Sequence, residues 1–303
     1  MFFLTVCLNP TLQKIIMLQD LHENAVNRSS EYYLDASGKG VNVSRVLVQL
    51  GEPTLHLTQA GGSNRDLFLR RAKEEEIDIA FVESNSEIRY CYTLCSIRKH
   101  TSTEIVEESL SVEAGTEKRL WRKFREVLHG CHTLIISGTK AAGFSDHLFP
   151  DMVRTAKKAG KRVVCDFRGE DLINVLQFRP EVVKPNFSEF CSTFIPDRTT
   201  GEQTDDPDTV ALVKETMVGL HEKYKTTPVI TRGKYDILFV ENGKVCSLPA
   251  KKLVPVNTIG CGDAFTAGFA SAYRAGNSIT ACVEKGRDCA ACNAQKIRFG
   301  VKN

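Results

Sequence analysis

The sequence has no long hydrophobic run and no excess of one charge among its 303 residues. No stretch approaches the ~18 consecutive apolar residues of a membrane-spanning helix, so we expect no membrane partner. The 40 Lys and Arg residues nearly balance the 37 Asp and Glu residues, and no basic block stands out. Nucleic acid is therefore not an expected partner. Internal repeats and low-complexity tracts are also absent, and the 42% hydrophobic content excludes general disorder.

The sequence also lacks the pattern of a disulfide-bonded secreted protein. Its eleven cysteines are odd in number and scattered along the chain, which indicates a reducing compartment. We therefore predict a cytoplasmic protein. Residues 1–8 (MFFLTVCL) are apolar but have no basic leader and stop at Asn9-Pro10, so they indicate a buried first strand rather than a signal peptide.

Short apolar runs alternate with helical periodicity from about Thr54 onward. This alternation is typical of βαβ units and of a mainly parallel sheet. Buried strands are predicted over residues 133–137, 162–167 and 228–231, and a helix over residues 116–129. The loops after such strands lie at the carboxyl edge of the sheet, where open α/β sheets bind ligands.

Two segments with strand-like patterns interrupt this alternation, one between the first strand and the first helix and one around residues 87–110. They suggest a small sheet outside the core that could act as a lid. We predict one α/β domain over residues 1–303, with lid insertions at about 11–36 and 87–111.

Two further features have plain explanations. Asp205, Asp206 and Asp208 in a polar loop are a candidate metal site, but a solvated loop that leads into a helix at the intervening proline explains them better. Cys289 and Cys292 form a C-x-x-C pattern inside a helix predicted from Ser278 to about Phe299. No second ligand pair lies nearby, so buried packing explains the two cysteines better than a metal or redox site does.

The first motif with chemical potential is residues 37–44 (SGKGVNVS), which opens a helix predicted to run to Leu50. Glycines let the backbone approach a ligand, and a helix N-terminus supplies unpaired N–H groups. Lys39 adds a charge suited to a phosphate, and Asn42 can both donate and accept hydrogen bonds. Taken alone, a tight turn that merely starts a helix explains this motif equally well.

The second motif is residues 257–265 (NTIGCGDAF), a Gly-rich turn that enters a helix predicted to reach about Tyr273. Converging backbone N–H groups can stabilise the negative charge that develops during phosphoryl transfer. Asp263 lies in the first helical turn, where it could accept a proton from a hydroxyl. The alternative is that Asp263 is only a favourable residue for a helix start.

Together the two motifs resemble, almost position for position, the signature motifs of the PfkB (ribokinase-like) carbohydrate kinases. The matching residues of the first motif and of the positions that follow it are Gly38, Gly40, Asn42, Ser44, Gly51 and Gly61. The resemblance covers nearly the whole chain and comes nearest to the 1-phosphofructokinase and tagatose-6-phosphate kinase branch. It implies a ribokinase-like α/β fold, with a mostly parallel central sheet flanked by helices and a small β-sheet lid.

The resemblance also implies catalytic roles, with ATP and Mg²⁺ as cofactors. Asp263 would be the general base, and Gly260, Cys261 and Gly262 would donate N–H groups to the γ-phosphoryl oxygens. Cys261 stands where the family has Ala, which a backbone donor tolerates. A reactive thiolate at Cys261 is the sharper alternative, because helix N-termini lower thiol pKa values.

For the nucleotide, the resemblance implies that Asn186 and Glu189 help to place Mg²⁺ and the phosphates, through water. From the residues alone, Asn186 and Glu189 could equally form a helix-capping box. Thr231 and Gly233 correspond to the family's nucleotide-contacting positions. Arg232 between them could reach a phosphate or only solvent.

For the acceptor, Lys39 and Arg89 resemble the basic pair that holds the existing phosphate of a sugar. Gly38 and Asn42 would contact the same substrate. Gln13 would do so as well, although the hexose-phosphate branch usually has Asp there. The loop 137–143 (SGTKAAG) departs from the Pro-Pro-Gly of that branch and adds a lysine.

The expected activity is ATP-dependent phosphorylation of a free hydroxyl on a phosphorylated ketohexose. The alternatives are a kinase of the same fold that acts on an unphosphorylated sugar or a nucleoside, and a non-catalytic regulator that binds a sugar phosphate. The resemblance also implies a homodimer formed through the lid.

Overall fold

The computed structural model describes residues 1–99, 101–198, 201 and 205–302. The strands in these parts of the chain are β1 (Phe2–Leu8), β2 (Thr11–Leu18), β3 (Glu31–Ser37), β4 (Thr54–Gly61), β5 (Asp78–Ser84), β6 (Arg89–Ser96), β7 (Thr101–Val106), β8 (Cys131–Lys140), β9 (Arg162–Asp166), β10 (Val182–Val183), β11 (Thr227–Arg232), β12 (Tyr235–Glu241) and β13 (Lys244–Leu248). The helices are α1 (Lys39–Gln49), α2 (Arg65–Glu74), α3 (Thr116–Leu128), α4 (Leu148–Lys158), α5 (Glu170–Leu176), α6 (Phe187–Phe194), α7 (Pro207–Tyr224), α8 (Cys261–Arg274) and α9 (Ile279–Ala294).

The central sheet has nine strands in the order β13-β12-β11-β10-β9-β8-β1-β4-β5. All neighbours from β11 to β5 pair in parallel, and only β12 and β13 are antiparallel to their neighbours. The predicted mostly parallel sheet is therefore confirmed, and the carboxyl ends of its parallel strands share one edge.

The parallel strands are buried on both faces of this sheet. Phe3 and Ile135 point into a core formed with α1, α8 and α9, whereas Leu4 and Leu134 point into a core formed with α3, α4 and α5. Neighbouring strand residues thus serve opposite cores because side chains alternate with a period of two. This double burial explains why the strands appear as continuous apolar runs in the sequence.

A second, smaller sheet has four strands in the order β3-β2-β6-β7. Strands β2 and β6 pair in parallel, with Thr11 opposite Arg89, while β3 and β7 are antiparallel to their neighbours. We call this unit the small sheet. The sequence-based expectation of a separate small sheet is confirmed, and every residue of its edge strand β7 is exposed.

Helix α9 ends at Ala294, so the prediction of a helix to about Phe299 is wrong. The amide of Asn293 donates to the carbonyl of Ile259 at 2.9 Å and accepts from the backbone N–H of Gly300 at 2.9 Å. These bonds fold the chain back toward the second motif, where Phe299 is buried. Of the three cysteines on α9, Cys282 and Cys289 are buried and Cys292 is half-buried, and all eleven cysteines of the chain are free thiols.

The Asp-rich loop leads into α7, which begins at Pro207 as predicted. Asp206 caps this helix by accepting from the backbone N–H of Thr209 at 2.9 Å, and Asp205 lies 3.6 Å from Arg232. Residues 199–200 and 202–204 of the predicted loop lie outside the described residues. In the described chain, no group of three or more His, Cys, Asp or Glu residues is placed to hold a metal ion. No described helix is both long and apolar enough to cross a membrane.

Candidate active site

The two sequence motifs form the N-termini of α1 and α8, which face the same cavity. The helices begin after Gly38 (φ 113°) and Gly260 (φ 75°), backbone conformations that favour glycine. Neither helix has a side-chain cap. The N-termini of both helices therefore face the cavity with the positive ends of their dipoles, although the backbone N–H of Cys261 already donates to the carbonyl of Thr258 at 3.3 Å.

The main cavity has a volume of about 840 Å³. The predicted site residues that line it are Gln13, Gly38, Lys39, Asn42, Asn186, Glu189, Thr231, Gly233, Gly260, Cys261, Gly262 and Asp263. A second cavity of about 270 Å³ shares Gly38, Lys39 and Glu189 with the main one and is also lined by Arg89. The structure thus gathers every predicted site residue around two adjoining cavities, with Lys39 at their junction.

Asp263 lies at the bottom of the main cavity and is only 6% exposed. Burial raises the pKa of its carboxyl to about 6, and the nearby Asp166 raises it as well. Lys39, Lys184 and the hydrogen bond from Asn42 act in the opposite direction. A carboxylate with this pKa is largely ionised near neutral pH and can still take up a proton, which suits a general base.

Asn42 holds the carboxylate of Asp263 through its Nδ2 atom, which donates to Oδ2 at 2.8 Å. The other end of the Asn42 amide is occupied, since Oδ1 accepts from Oγ of Ser37 at 3.1 Å and from Nη1 of Arg45 at 2.6 Å. Arg45 is 1% exposed, and its Nε also donates to Glu75. These contacts fix which end of the Asn42 amide faces the carboxylate of Asp263.

Lys39 forms an ion pair with Glu189, with 2.8 Å between Nζ and Oε1. Burial alone would raise the pKa of Glu189, but Lys39 and the backbone N–H of Asn186 lower it below the usual value. Asp166, Glu189 and Asp263 in turn raise the pKa of Lys39, although burial opposes this. The Lys39 side chain keeps 41% of its surface exposed, because it lines the open cleft rather than the core.

Asn186 and Glu189 form the capping box of α6. Oδ1 of Asn186 accepts from the backbone N–H of Glu189 at 2.7 Å, and Oε2 of Glu189 accepts from the backbone N–H of Asn186 at 2.9 Å. The capping interpretation is therefore confirmed. Both residues also line the main cavity, so capping orients them without removing them from it.

The sequence analysis missed two buried charges on the cavity wall, Asp166 and Lys184. They are 1% and 4% exposed and lie 3.4 Å apart. Oδ2 of Asp166 also accepts hydrogen bonds from Ser137 at 3.1 Å and from Thr266 at 2.7 Å. A signal was present in the sequence, because Asp166 lies near the carboxyl end of the strand predicted over residues 162–167, at the edge where α/β sheets bind ligands.

The sequence allowed two predictions for Arg232, contact with a phosphate or contact with solvent only. In the structure Arg232 is 5% exposed. Its guanidinium lies 4.9 Å from the ring centroid of Phe187 and 5.3 Å from that of Tyr235. Cation–π contacts of this kind hold the group in place. Arg232 thus faces protein and the main cavity rather than open solvent.

The Cys261 side chain is half-buried and accepts a weak hydrogen bond from Nδ2 of Asn293 at 3.5 Å. The backbone N–H of Cys261 lies 3.3 Å from the carbonyl oxygen of Thr258. The thiol is thus held toward α9, while the first turn of α8 lines the cavity.

Comparison of the sequence with models of known protein families gives a match. The sequence model described as pfkB family carbohydrate kinase matches residues 5–300. The chain belongs to the pfkB family. It is a carbohydrate kinase, a phosphotransferase with an alcohol group as acceptor, and this class uses ATP with a divalent metal ion.

Solved structures of phosphofructokinases and of a ribokinase share the fold of this chain. A possible 1-phosphofructokinase from Thermotoga maritima has a TM-score of 0.87 at 22% identity, covering 99% of this chain and 93% of that one. Phosphofructokinase-2 from Escherichia coli, in complex with substrates and products, has a TM-score of 0.86 at 20% identity, covering 99% and 94%. Ribokinase from Thermotoga maritima has a TM-score of 0.73 at 14% identity, covering 98% and 94%. The ribokinase-like fold is therefore confirmed.

Proposed function

We propose that this carbohydrate kinase transfers the γ-phosphoryl group of ATP to a free hydroxyl of a phosphorylated ketohexose. The observation that carries this proposal is that two cavities with different lining residues meet at Lys39. The main cavity holds the buried base Asp263 and two helix N-termini, whereas the smaller one is lined by Lys39 and Arg89. An acceptor with a hydroxyl at one end and a phosphate at the other matches this arrangement.

Each catalytic step has a group suited to it. Asp263 would accept the proton of the attacking hydroxyl, with Asn42 holding its carboxylate in place. The N–H groups of Gly260, Cys261 and Gly262 would stabilise the charge on the transferred phosphoryl oxygens, as donors at a helix N-terminus do. In-line transfer needs little more than this positioning and charge stabilisation.

The residues on the cavity wall fit a nucleotide and a magnesium ion. Lys184 and Lys39 supply positive charge for phosphates, and the carboxylates of Asp166 and Glu189 line the same cavity, which Asp263 and Glu104 also line. Both carboxylates already have protein partners, which suits Mg²⁺, since this ion keeps several waters and binds through substrate phosphates. Bound Mg²⁺ would neutralise phosphate charge during transfer.

The existing phosphate of the acceptor would bind in the smaller cavity, between Lys39 and Arg89. A dianionic phosphate pairs well with Arg and Lys side chains. Escherichia coli phosphofructokinase-2 has been crystallised with fructose-6-phosphate, which supports a ketohexose phosphate as the class of acceptor.

The small sheet would serve as a lid on the acceptor side, within a single α/β domain of residues 1–303. Gln13 on β2 and Glu104 on β7 line the main cavity from this sheet. Tyr32, Ile105 and Val106 on the same sheet are at least half exposed, which supports a homodimer formed through it. A homodimer predicts that Ile105→Asp lowers the mass measured by light scattering to that of one chain.

An ATP-consumption screen tests the proposed activity. The panel contains fructose 1-phosphate, fructose 6-phosphate and tagatose 6-phosphate, with fructose, ribose and adenosine as the unphosphorylated set. We expect turnover only with a ketohexose phosphate. Turnover restricted to the unphosphorylated set would favour a sugar or nucleoside kinase, and no turnover with binding retained would favour a non-catalytic regulator.

A further inference from the structure

We propose that Arg168 is a third anchor for the phosphate of the acceptor and that it makes the enzyme prefer phosphorylated acceptors. The inference rests on the proposed function and adds a residue that neither sequence motif contains. Arg168 lies in the loop between β9 and α5 and lines the smaller cavity together with Lys39 and Arg89.

The smaller cavity has more positive than negative groups on its wall. Its three cationic side chains come from separate parts of the chain: the start of α1, the small sheet and the β9–α5 loop. Glu189 is the carboxylate that lines it, and Glu189 is already bound to Lys39 and to the backbone of Asn186. A cavity with this balance favours a dianion over a neutral hydroxyl group.

The three cationic side chains, Lys39, Arg89 and Arg168, differ in how many hydrogen bonds and ion pairs they form with the protein. Lys39 is paired with Glu189, and Nη1 of Arg89 donates to the backbone carbonyl of Glu107 at 2.5 Å. Nε of Arg89 is buried and, among the described residues, has no hydrogen-bond partner. Arg168 is an exposed residue, and its guanidinium makes no hydrogen bond or ion pair within the described chain. Both arginines thus have donors available for a ligand.

The backbone on either side of Arg168 is held firmly, so the position of this side chain is built into the fold. Before it, Phe167 is 3% exposed and its ring centroid lies 5.1 Å from that of Phe149. After it, the backbone N–H of Gly169 donates to Oγ1 of Thr193 at 2.9 Å. A fixed backbone that presents a free guanidinium suits bidentate recognition of a phosphate.

Lys140 is the other cation near the acceptor, and its charge is already neutralised. Its Nζ lies 2.5 and 2.6 Å from the two carboxylate oxygens of Asp171, and the side chain is only 12% exposed. The lysine that distinguishes the loop 137–143 is thus part of a structural ion pair. Beside the predicted pair of Lys39 and Arg89, Arg168 is therefore the cation that has no hydrogen bond or ion pair within the described chain.

Binding and turnover of an Arg168→Gln variant test the inference. Affinity is measured calorimetrically without ATP for fructose 1-phosphate, fructose 6-phosphate and tagatose 6-phosphate, and KM and kcat are measured for every substrate that turns over. Because a hydrogen bond between charged groups is being removed, we expect roughly ten- to hundred-fold weaker binding of the sugar phosphate. KM for ATP and the calorimetric affinity for unphosphorylated fructose should stay unchanged.

Arg122→Gln is the matched control. Arg122 is exposed on α3, and its replacement by Gln removes one positive charge, as Arg168→Gln does. Arg168→Lys keeps the charge without the planar fork and should lose less affinity than Arg168→Gln. Unchanged sugar-phosphate affinity in Arg168→Gln, or no binding of the panel by the wild-type enzyme, would overturn the inference. Sugar-phosphate binding that depends on Arg168, without any phosphoryl transfer, would instead overturn the proposed function and leave the inference standing.

Discussion

Asn42 and Asp263 are 221 positions apart in the sequence, yet Nδ2 of the first donates to Oδ2 of the second at 2.8 Å. This bond joins the first turn of α1 to the first turn of α8 and so links the two Gly-rich motifs directly. Each motif alone permits a plain explanation as a helix start. Their contact makes the pair a single site, because one motif supplies the carboxylate that we propose as the base and the other holds it.

Replacing Asp263 with Asn should lower kcat by about 10²–10⁴-fold, the usual contribution of general acid–base catalysis. The amide keeps the size of the side chain but cannot accept the proton of the hydroxyl. ATP affinity, measured by fluorescence or calorimetry, should barely change. Asp78→Asn on the exposed part of β5 is the control, and it should keep full turnover. Near-normal kcat in Asp263→Asn would contradict the role as base.

Local sequence was sufficient to predict the two helix starts and the capping box of α6. A Gly-rich turn before a helix, or an Asn three residues before a Glu, specifies its own backbone geometry within a few residues. The buried parallel strands were predictable for a similar reason, since double burial produces continuous apolar runs.

Long-range pairs could not be predicted from local patterns. The Lys39–Glu189 ion pair and the Asp171 partner of Lys140 depend on how distant segments pack. The early end of α9 has the same origin, because Asn293 bonds to groups outside the helix. Helical periodicity carries no information about such contacts, so the sequence predicted an added charge in the loop 137–143, whereas the fold pairs Lys140 with Asp171.

The rate of phosphoryl transfer should depend on pH through Asp263, whose pKa is raised to about 6. The carboxylate form is the active one, so kcat/KM should fall tenfold per pH unit well below this value and level off above it. A profile measured between pH 5 and pH 8 at saturating ATP tests this. A flat profile across pH 6, with wild-type stability unchanged, would show that another group accepts the proton.

Cys261 should be replaceable by Ala with little change in kcat, because its proposed contribution comes from the backbone N–H. The thiol itself lies against Asn293. A catalytic thiolate would instead require the sulfur, and the Ala variant would then lose turnover by orders of magnitude. Iodoacetamide labelling provides a second measurement, since bound ATP should slow modification of Cys261 and leave that of Cys246, which is equally half-buried but lies outside the cavity, unaffected.

Arg45 should act on Asp263 through Asn42, as a positioning residue. Its guanidinium occupies Oδ1 of Asn42 at 2.6 Å and thereby directs Nδ2 toward the carboxylate. Without it, Ser37 still donates to Oδ1, but the amide is held less firmly and its stabilising bond to the ionised carboxylate weakens. We therefore expect Arg45→Met to raise the apparent pKa in the kcat/KM profile above that of the wild-type enzyme.

The same substitution should also lower the free energy of unfolding by about 3 kcal/mol, since Glu75 and the carbonyl of Ala36 lose a buried partner. Stability alone would not move the pH profile, so the two measurements separate positioning from folding. Glu75→Gln is the informative control. It weakens the hold on Arg45 but leaves Asn42 bonded to the guanidinium, so stability should fall while the pKa in the profile stays in place. If both variants shift the profile equally, the orientation of Asn42 is not set by Arg45.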